Sequence, residues 1–340
     1  MTRLATFLHI SDLHIGEFET ISGDCKISPV AANVLNNMPI FDGLLGHHAA
    51  ALRHLDDFSA ELRAGEPDCC LIATGDLSRW GTFQELWSAR DFLLSCVDIA
   101  PPFREDGGLH FADDCLIIPG NHDHWAGVAP PVGAAPSEYP NVYPDHPTPS
   151  DHRLRLLPGG TRIRFIQVNS DADMRANSLS RLLAKGHFVS ELNALSASLP
   201  AKPDGEIRVM LIHHSRSHAG RTLAITRSSK RALDQFLAVQ NIDVMLTGHT
   251  HAPIARLHNV AGTSGVHELG AGSTTQFDVL PYKWKLRLRD PQQLGWHPNT
   301  LMVHRIHLRD GQIWWVTDTC QRFPNGFRPV SQYSFPISAT

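Results

Sequence analysis

Five short polar clusters along the chain contain the residue types that bind metal ions. They combine several imidazoles with carboxylates and one amide, and none of them contains a cysteine. The clusters are Asp12-Leu13-His14, Gly75-Asp76, Gly120-Asn121-His122-Asp123, His213-His214 and Gly248-His249-Thr250-His251. A mixed nitrogen and oxygen set suits Mn, Fe, Zn, Co or Ni better than Ca or Mg, and it argues against a structural zinc of the cysteine type.

The inventory of ligands is large enough for two ions. Two divalent ions about 3.5–4 Å apart need one bridging carboxylate and a separate cap of ligands for each ion, and the clusters supply both. We therefore predict a centre with two divalent metal ions (Mn, Fe, Zn or Co, with Mn or Fe favoured). We expect such a centre to bind a hydroxide that attacks phosphorus.

Each cluster follows, within two residues, an apolar run rich in β-forming residues. These runs cover residues 6–10, 69–73, 115–118, 208–212 and 243–246. Continuous apolar runs of this length indicate buried strands, and α/β sheets bind their ligands beyond the carboxyl ends of such strands. The spacing therefore predicts that all five clusters lie at one edge of a sheet.

Helical patterns alternate with the predicted strands. They cover residues 41–63, 82–94, 188–199 and 229–239, and a further strand is predicted at 162–168. The alternation indicates βαβ units and an α/β fold. Residues 301–308 and 312–319 are typical of a hairpin, because Asp310-Gly311 between them favours a tight turn.

We expect one large domain. Its core covers residues 1–280, with insertions at about 17–39 and 125–160, and residues 281–340 form a C-terminal β segment that completes the second sheet. The insertion at 125–160 is rich in Pro, Gly and Ala and has no periodicity, which predicts a functional lid or binding loop.

Composition argues against several other classes of protein. The chain has 340 residues and a formal net charge of −4, so it has no excess of positive charge. We therefore expect no extended nucleic-acid partner. No apolar run approaches about eighteen residues and no leader pattern begins the chain, so we expect no membrane span. The six cysteines have no paired spacing, which favours a reducing cytoplasm. The oligomeric state stays open.

Taken in order, the five clusters resemble the pattern of the calcineurin-like metallophosphoesterase superfamily, which reads D-x-H, G-D, G-N-H-D/E, H and G-H-x-H. The resemblance covers roughly residues 5–275. It implies a four-layer αββα sandwich of two mixed β-sheets flanked by helices. It also implies that Asp12, His14, Asp76 and His251 hold one ion, and that Asp76, Asn121, His213 and His249 hold the other. Asp76 would then bridge the two ions.

The same resemblance implies catalytic residues. His122 matches the position that contacts substrate and assists departure of the leaving group, a step that alkoxides require at neutral pH. Asp123 is expected to orient His122 or a metal ligand. The sequence alone does not choose between His213 and His214 as the ligand, although family usage favours His213.

Departures from the pattern narrow the class of enzyme. Purple acid phosphatases have a tyrosine where this chain has Arg79, and protein Ser/Thr phosphatases read G-D-x-V-D-R-G. The run Gly75-Asp76-Leu77-Ser78-Arg79-Trp80-Gly81-Thr82 is similar to class III cyclic-nucleotide and glycerophosphodiester phosphodiesterases. These enzymes have Pro-Pro after the histidine pair, whereas this chain has Ser215-Arg216.

We therefore expect a metal-dependent phosphodiesterase that hydrolyses a small nucleotide-like or glycerol-linked phosphodiester by in-line attack of a metal-bridging hydroxide. The alternatives are a phosphomonoesterase or nuclease on the same centre, or an inactive metal-bound scaffold. Arg216, Arg221 and Arg227 are candidate substrate-binding residues, because guanidinium is a planar fork that matches phosphate. The alternative for these arginines is a solvated basic loop.

Overall fold

The strands form two six-stranded mixed sheets. The computed structural model describes residues 1–16, 47, 49–94, 108–111, 115–127, 137–146, 149–174, 183–218, 222–275 and 298–337. The described strands are β1 (Thr2–Ile10), β2 (Cys69–Thr74), β3 (Cys115–Ile118), β4 (Asp151–Leu156), β5 (Arg162–Val168), β6 (Glu206–Ile212), β7 (Val244–Thr247), β8 (Pro253–His258), β9 (Val266–Ala271), β10 (Thr300–Arg309), β11 (Gln312–Phe323) and β12 (Gly326–Ile337). The described helices are α1 (Ala49–Gly65), α2 (Phe83–Leu94), α3 (Tyr139–Val142), α4 (Val189–Ser198) and α5 (Arg227–Val239).

The first sheet has the order β12-β11-β10-β1-β2-β3, and the second has the order β4-β5-β6-β7-β9-β8. In the first sheet β1, β2 and β3 are parallel, while β10 to β12 run as antiparallel neighbours beside β1. In the second sheet β5, β6, β7 and β9 are parallel, and β4 and β8 are antiparallel edge strands. The parallel strands of each sheet end at a common edge.

Three apolar layers hold the fold together, and they confirm the predicted four-layer αββα sandwich. Successive side chains of β1 alternate, so that Phe7 lies between the two sheets while Leu8 packs against α1 and α2. Between the sheets, the rings of Phe7 and Phe165 meet edge to face with centroids 5.4 Å apart. A third layer packs α4 and α5 on the outer face of the second sheet, through residues such as Leu192 and Leu233.

Local sequence signals account for several element boundaries. Thr82 caps α2, since its Oγ1 accepts the backbone N–H of Glu85 at 3.2 Å, while the Glu85 carboxylate accepts the N–H of Trp80 at 2.7 Å. The predicted hairpin forms with Arg309 paired to Gln312. The two residues of its turn, Asp310 and Gly311, have φ of 51° and 77°, which is the backbone conformation that favours Asp-Gly.

Two expectations about the insertions and the C-terminal segment need correction. The predicted irregular loop at 125–160 contains the short helix α3 and the edge strand β4, which pairs with β5 over six residues. The segment predicted to complete the second sheet instead extends the first one, because β10 pairs with the free side of β1. Residues 17–39 lie outside the described residues.

None of the described helices is long and apolar enough to cross a membrane. Among the described cysteines, no disulfide bond joins Cys69, Cys70, Cys115 or Cys320.

Candidate metal centre

The five polar clusters meet where the parallel strands of both sheets end. Backbone hydrogen bonds join their loops: Asp12 N–H donates to Gly75 O at 3.0 Å, and His14 N–H donates to Asp76 O at 2.9 Å. Across the two sheets, the N–H of His249 donates to Asp12 Oδ2 at 2.9 Å. The centre therefore forms a polar junction between the sheets, as the strand-end positions of the clusters predicted.

One group of side chains consists of Asp12, His14 and His251, whose candidate ligand atoms all lie within 4.8 Å of one another. Asp12 Oδ1 is 3.3 Å from His251 Nε2 and 3.8 Å from His14 Nε2. Asp76 Oδ2 lies 3.8 Å from the same nitrogen of His14. One cation could therefore be held by two carboxylates and two imidazoles.

A second group consists of Asp76, His213 and His249, again with ligand atoms within 4.8 Å of one another. Asp76 Oδ2 is 3.2 Å from His213 Nε2, which is 3.0 Å from His249 Nδ1. Asn121 precedes His122, whose N–H donates to Asp76 Oδ1 at 2.9 Å. Asp76 thus lies between the two groups, which is the arrangement that a bridging carboxylate requires.

Buried polar atoms in these groups fit the presence of cations. Asp12 Oδ1, His14 Nε2 and Asn121 Oδ1 are buried and have no hydrogen-bond partner within the described part of the chain. A buried polar group without a partner costs about 1–3 kcal/mol. Divalent ions bound to oxygen and imidazole nitrogen would satisfy these atoms, so the donor set fits the predicted metals.

Hydrogen bonds to backbone carbonyls fix the orientation of the imidazoles. Nδ1–H of His213 donates to Thr74 O at 2.7 Å, and Nε2–H of His249 donates to Ala184 O at 3.1 Å. These bonds leave His213 Nε2 and His249 Nδ1 as the basic nitrogens, and both face the centre.

The structure also separates the two adjacent histidines. His214 is not part of the group around Asp76, and its Nδ1 lies 2.7 Å from Ser170 Oγ. Its ring packs beside that of His249, with centroids 4.2 Å apart. The geometry therefore brings His213 into the cluster and makes His214 a packing neighbour.

Several of these residues have an unusual backbone conformation. Positive φ values occur at Asp12 (52°), His14 (49°), Asp76 (51°), His249 (69°) and His251 (55°). Such values are uncommon for residues other than glycine and cluster at functional sites. The surrounding hydrogen bonds must hold each loop in this conformation.

A hydroxyl clamp, formed by Ser273, Thr274 and Thr275 after β9, holds the loop that follows β1. Ser273 Oγ–H donates to Asp12 O at 3.1 Å, and Thr275 Oγ1–H donates to Leu13 O at 2.6 Å. Thr274 exchanges two bonds with Ser11. Our sequence reasoning missed this clamp, although a run of three hydroxyl residues after a strand is a usable signal.

The sequence profile of the calcineurin-like phosphoesterase family matches residues 5–253 of this chain, which include every candidate ligand of the centre. The chain belongs to this family. Membership makes it a metal-dependent phosphoester hydrolase, and it confirms the family resemblance inferred from the five clusters.

Solved structures give weaker comparisons. The chain is similar to the calcineurin-like phosphoesterase YfkN from Bacillus subtilis, with 11% identity, a TM-score of 0.42, and coverage of 99% of this chain and 92% of that chain. It is also similar to wild-type Vps29 complexed with zinc from Entamoeba histolytica, with 13% identity, a TM-score of 0.35, and coverage of 98% and 99%. No curated protein matches this sequence significantly.

Within the candidate centre, His122 Nε2 faces the carboxylate of Asp76. Its Nδ1–H donates to Arg79 O at 2.8 Å, and its Nε2 lies 3.9 Å from Asp76 Oδ2. Its ring stacks on Trp125 with centroids 3.7 Å apart and meets His14 edge to face at 4.5 Å. His14, Asp76 and His122 also form a group with ligand atoms within 4.8 Å, so His122 lies at the rim of the metal positions.

Asp123 was predicted to orient His122 or a metal ligand, and its described contacts lie on the loops beside Asp76 and Asn121. Its carboxylate accepts N–H bonds from Gly120 at 2.9 Å, from Ser78 at 2.8 Å and from Leu77 at 3.2 Å. It also accepts the Ser78 hydroxyl at 2.8 Å. Asp123 therefore joins the loop that contains Asp76 to the loop that precedes Asn121, because its short side chain turns toward these backbone donors.

The predicted substrate-binding arginines do not share one environment. The Arg216 guanidinium donates to Asp234 Oδ1 at 2.6 Å and approaches His258 Nδ1 at 2.8 Å, so α5 and β8 already engage it. Arg227 is exposed at the first position of α5. Arg221 lies outside the described residues. The described contacts give Arg216 structural partners, and phosphate binding by Arg216, Arg221 and Arg227 stays a prediction.

Close packing of glycines keeps the ligand loops in contact. A Cβ atom at position 120 would lie 2.2 Å from Asp76 Oδ1 and 2.3 Å from its backbone nitrogen. We expect Gly120→Ala to displace Asp76 and to lose at least one ion per chain, measured by elemental analysis after removal of free metal. Gly65→Ala is the matched control, since nothing lies within 4 Å of that Cβ position. Retention of two ions in Gly120→Ala would contradict the packing argument.

Without bound metal, the imidazoles of His213 and His122 differ in pKa. Burial lowers the pKa of His213, but the Asp76 carboxylate outweighs burial and raises it to about 9. At His122 burial dominates and lowers the pKa to about 3, in spite of the same carboxylate. At neutral pH the proton therefore resides on His213, and a metal ion must displace it.

We expect an NMR titration of the metal-free protein to show His213 protonated at pH 7 and deprotonated near pH 9, with His122 neutral throughout. Because the folded pKa of His213 exceeds the ordinary value of 6.5, its stabilising contribution is full below pH 6.5 and is lost as pH rises through 9. Zinc added at pH 7 should remove the imidazolium signal. A neutral His213 at pH 7 without metal would exclude this assignment.

Proposed function

We propose that this phosphoesterase is a dinuclear metal-dependent phosphodiesterase acting on a small nucleotide-like or glycerol-linked diester. The observation that supports it is the position of Asp76, whose Oδ2 lies 3.2 Å from His213 and 3.8 Å from His14, between two sets of ligands. A lone ion would use only one of these sets.

The proposed ligands follow from the two groups. Asp12, His14 and His251 of the first group would hold one ion together with Asp76, whose Oδ2 lies 3.8 Å from His14 Nε2. Asp76, His213 and His249 of the second group would hold the other together with Asn121, whose Oδ1 is buried and has no hydrogen-bond partner within the described part of the chain. Bound divalent ions would supply an activated water and offset the negative charge that develops at phosphorus. Manganese or iron is favoured among the metals that this donor set accepts.

His122 would act on the leaving group. Donation of Nδ1–H to Arg79 O leaves Nε2 directed at the centre, and stacking on Trp125 fixes the plane of the ring. An alkoxide leaving from phosphorus must be protonated or shielded near neutral pH. We assign this task to His122. Its Nε2 carries no proton in the metal-free protein and must gain one as the anionic phosphoester approaches, because a nearby negative charge favours the protonated imidazole. Asp123 joins the loops on either side of the ring.

A small substrate is favoured over a polymer. The formal net charge of −4 provides no general attraction for a polyphosphate backbone, which nucleases neutralise with many Lys and Arg residues. We also propose a cytoplasmic location, in keeping with the lack of a disulfide bond among the described cysteines. A phosphomonoesterase on the same centre is the alternative.

A single screen tests the proposal. The manganese-loaded protein is assayed with bis-p-nitrophenyl phosphate, p-nitrophenyl phosphate, cyclic nucleotides and glycerophosphodiesters. We expect hydrolysis of diesters well above that of the monoester. Preferential hydrolysis of the monoester would replace the proposal with a phosphomonoesterase, and hydrolysis of long single-stranded nucleic acid above all small diesters would replace it with a nuclease.

A further inference from the structure

A chain of buried polar side chains crosses the first sheet on the face that contacts the second sheet. It consists of Trp315, Thr317, His304, His9 and Thr74, which lie on the four adjacent strands β11, β10, β1 and β2. Each of these residues is fully buried. We call this set the imidazole chain. Such a network stabilises a fold only when its donors and acceptors are paired, because an unpaired buried group is costly.

The hydrogen bonds of the imidazole chain have one consistent direction. Nε1–H of Trp315 can only donate, and Thr317 Oγ1 accepts it at 3.1 Å. The Thr317 hydroxyl then donates to His304 Nδ1 at 2.9 Å, and His304 Nε2–H donates to His9 Nδ1 at 3.1 Å. Finally, His9 Nε2–H donates to Thr74 Oγ1 at 3.0 Å.

This direction pairs every ring nitrogen while both imidazoles stay neutral. Burial supports the neutral forms, since it lowers the pKa of His9 to about 3 and that of His304 well below its ordinary value. The imidazole chain therefore has one hydrogen-bonding pattern, and it ends at Thr74.

Thr74 connects the imidazole chain to the metal centre. It is the last residue of β2 and precedes Gly75 and Asp76. While its side chain accepts from His9, its backbone oxygen accepts the Nδ1–H of His213 at 2.7 Å. The same oxygen accepts the Ser11 hydroxyl at 3.3 Å. The position of Thr74 thus sets the direction of His213 Nε2 toward Asp76.

We propose that His9 and His304 are positioning residues for the ion of the His213 group, acting through Thr74. The inference rests on the proposed dinuclear centre and assigns a separate support to one of its two ions. The other ion has the hydroxyl clamp, which holds the backbone around Asp12 through Ser273 and Thr275. The affinities of the two ions should therefore respond to different substitutions.

The test measures the affinity of each Co²⁺ ion in the full-length protein by visible absorption with chelator competition. His9→Leu removes both hydrogen bonds of the ring. We expect it to weaken the ion of the His213 group about tenfold, at the low end of the usual effect of lost outer partners, and to change the other ion less than about threefold. Reference spectra from His213→Ala and His14→Ala assign each ion to its position.

Two matched variants complete the experiment. His9→Gln keeps one acceptor and one donor and should restore the affinity, whereas a mere packing defect would not be repaired. Thr275→Val removes a bond of the hydroxyl clamp and should weaken the other ion. If His9→Leu does not fold, Thr74→Val, which deletes the acceptor for His9, replaces it in the same measurement.

Equal weakening of both ions, or unchanged affinity of both, in a folded His9→Leu or Thr74→Val protein would overturn the inference. Failure of His9→Gln to restore the affinity would overturn it as well. Binding of fewer than two ions by the wild-type protein would instead refute the dinuclear centre, so the two failures are distinguishable.

Discussion

Asp76→Asn is expected to abolish phosphodiester hydrolysis and to lower the metal content to at most one ion per chain. The substitution keeps the shape of the side chain, and the amide oxygen can still accept the His122 N–H that Asp76 Oδ1 accepts at 2.9 Å. It removes the negative charge between the two ligand groups. Without that charge two dications are poorly screened from each other, so at least one of them should dissociate.

Elemental analysis and hydrolysis of bis-p-nitrophenyl phosphate measure the two effects of Asp76→Asn. Asp310→Asn is the control, because that side chain is 93% exposed in the hairpin turn, where asparagine is equally suitable. It should retain wild-type metal and activity. Full occupancy of both positions in Asp76→Asn would refute the bridging assignment.

His122→Ala should keep both ions and lose about 10²–10⁴ in kcat, the usual contribution of a positioned acid or base. The ring lies at the rim of the ligand groups, with Nε2 3.9 Å from Asp76 Oδ2, and its other nitrogen is bound to Arg79 O. Removal of the ring therefore deletes the group assigned to the leaving oxygen while the proposed ligands remain. Steady-state kinetics and metal analysis of the same sample separate the two effects.

The leaving group makes this second prediction specific. The loss of kcat should be smaller for a nitrophenolate, which needs little protonation, than for an alkoxide. His124→Ala removes an imidazole from the same turn, outside the ligand groups, and serves as the control. An equal loss for alkyl and nitrophenyl diesters would count against proton donation, and loss of an ion would make His122 a ligand.

Much of the fold followed from the sequence because its signals are local. Each apolar run before a polar cluster became a strand, and Asp310-Gly311 formed the expected turn. The choice between His213 and His214 needed the structure, since it depends on which face of β6 meets Thr74 and Asp76. Adjacent residues of one type give no local signal for that choice.

Contacts between distant segments could not be predicted. Asp123 was predicted to orient His122 or a metal ligand, but its contacts with backbone groups depend on the turns after β2 and β3, which the sequence does not give. The sheet that receives β10 to β12 depends on the free edge of β1, and no local pattern reports that edge. The contact between His9 on β1 and His304 on β10 depends on how these two strands pair.

The central position of β1 in the first sheet has a consequence for biosynthesis. β1 ends at Ile10, but one of its two neighbours, β10, begins only at Thr300. At about 5–20 residues per second, the ribosome needs tens of seconds to reach that strand. During this interval one edge of β1 remains unpaired, and an open edge is a template for aggregation. The nascent chain should therefore depend on chaperones until β10 emerges.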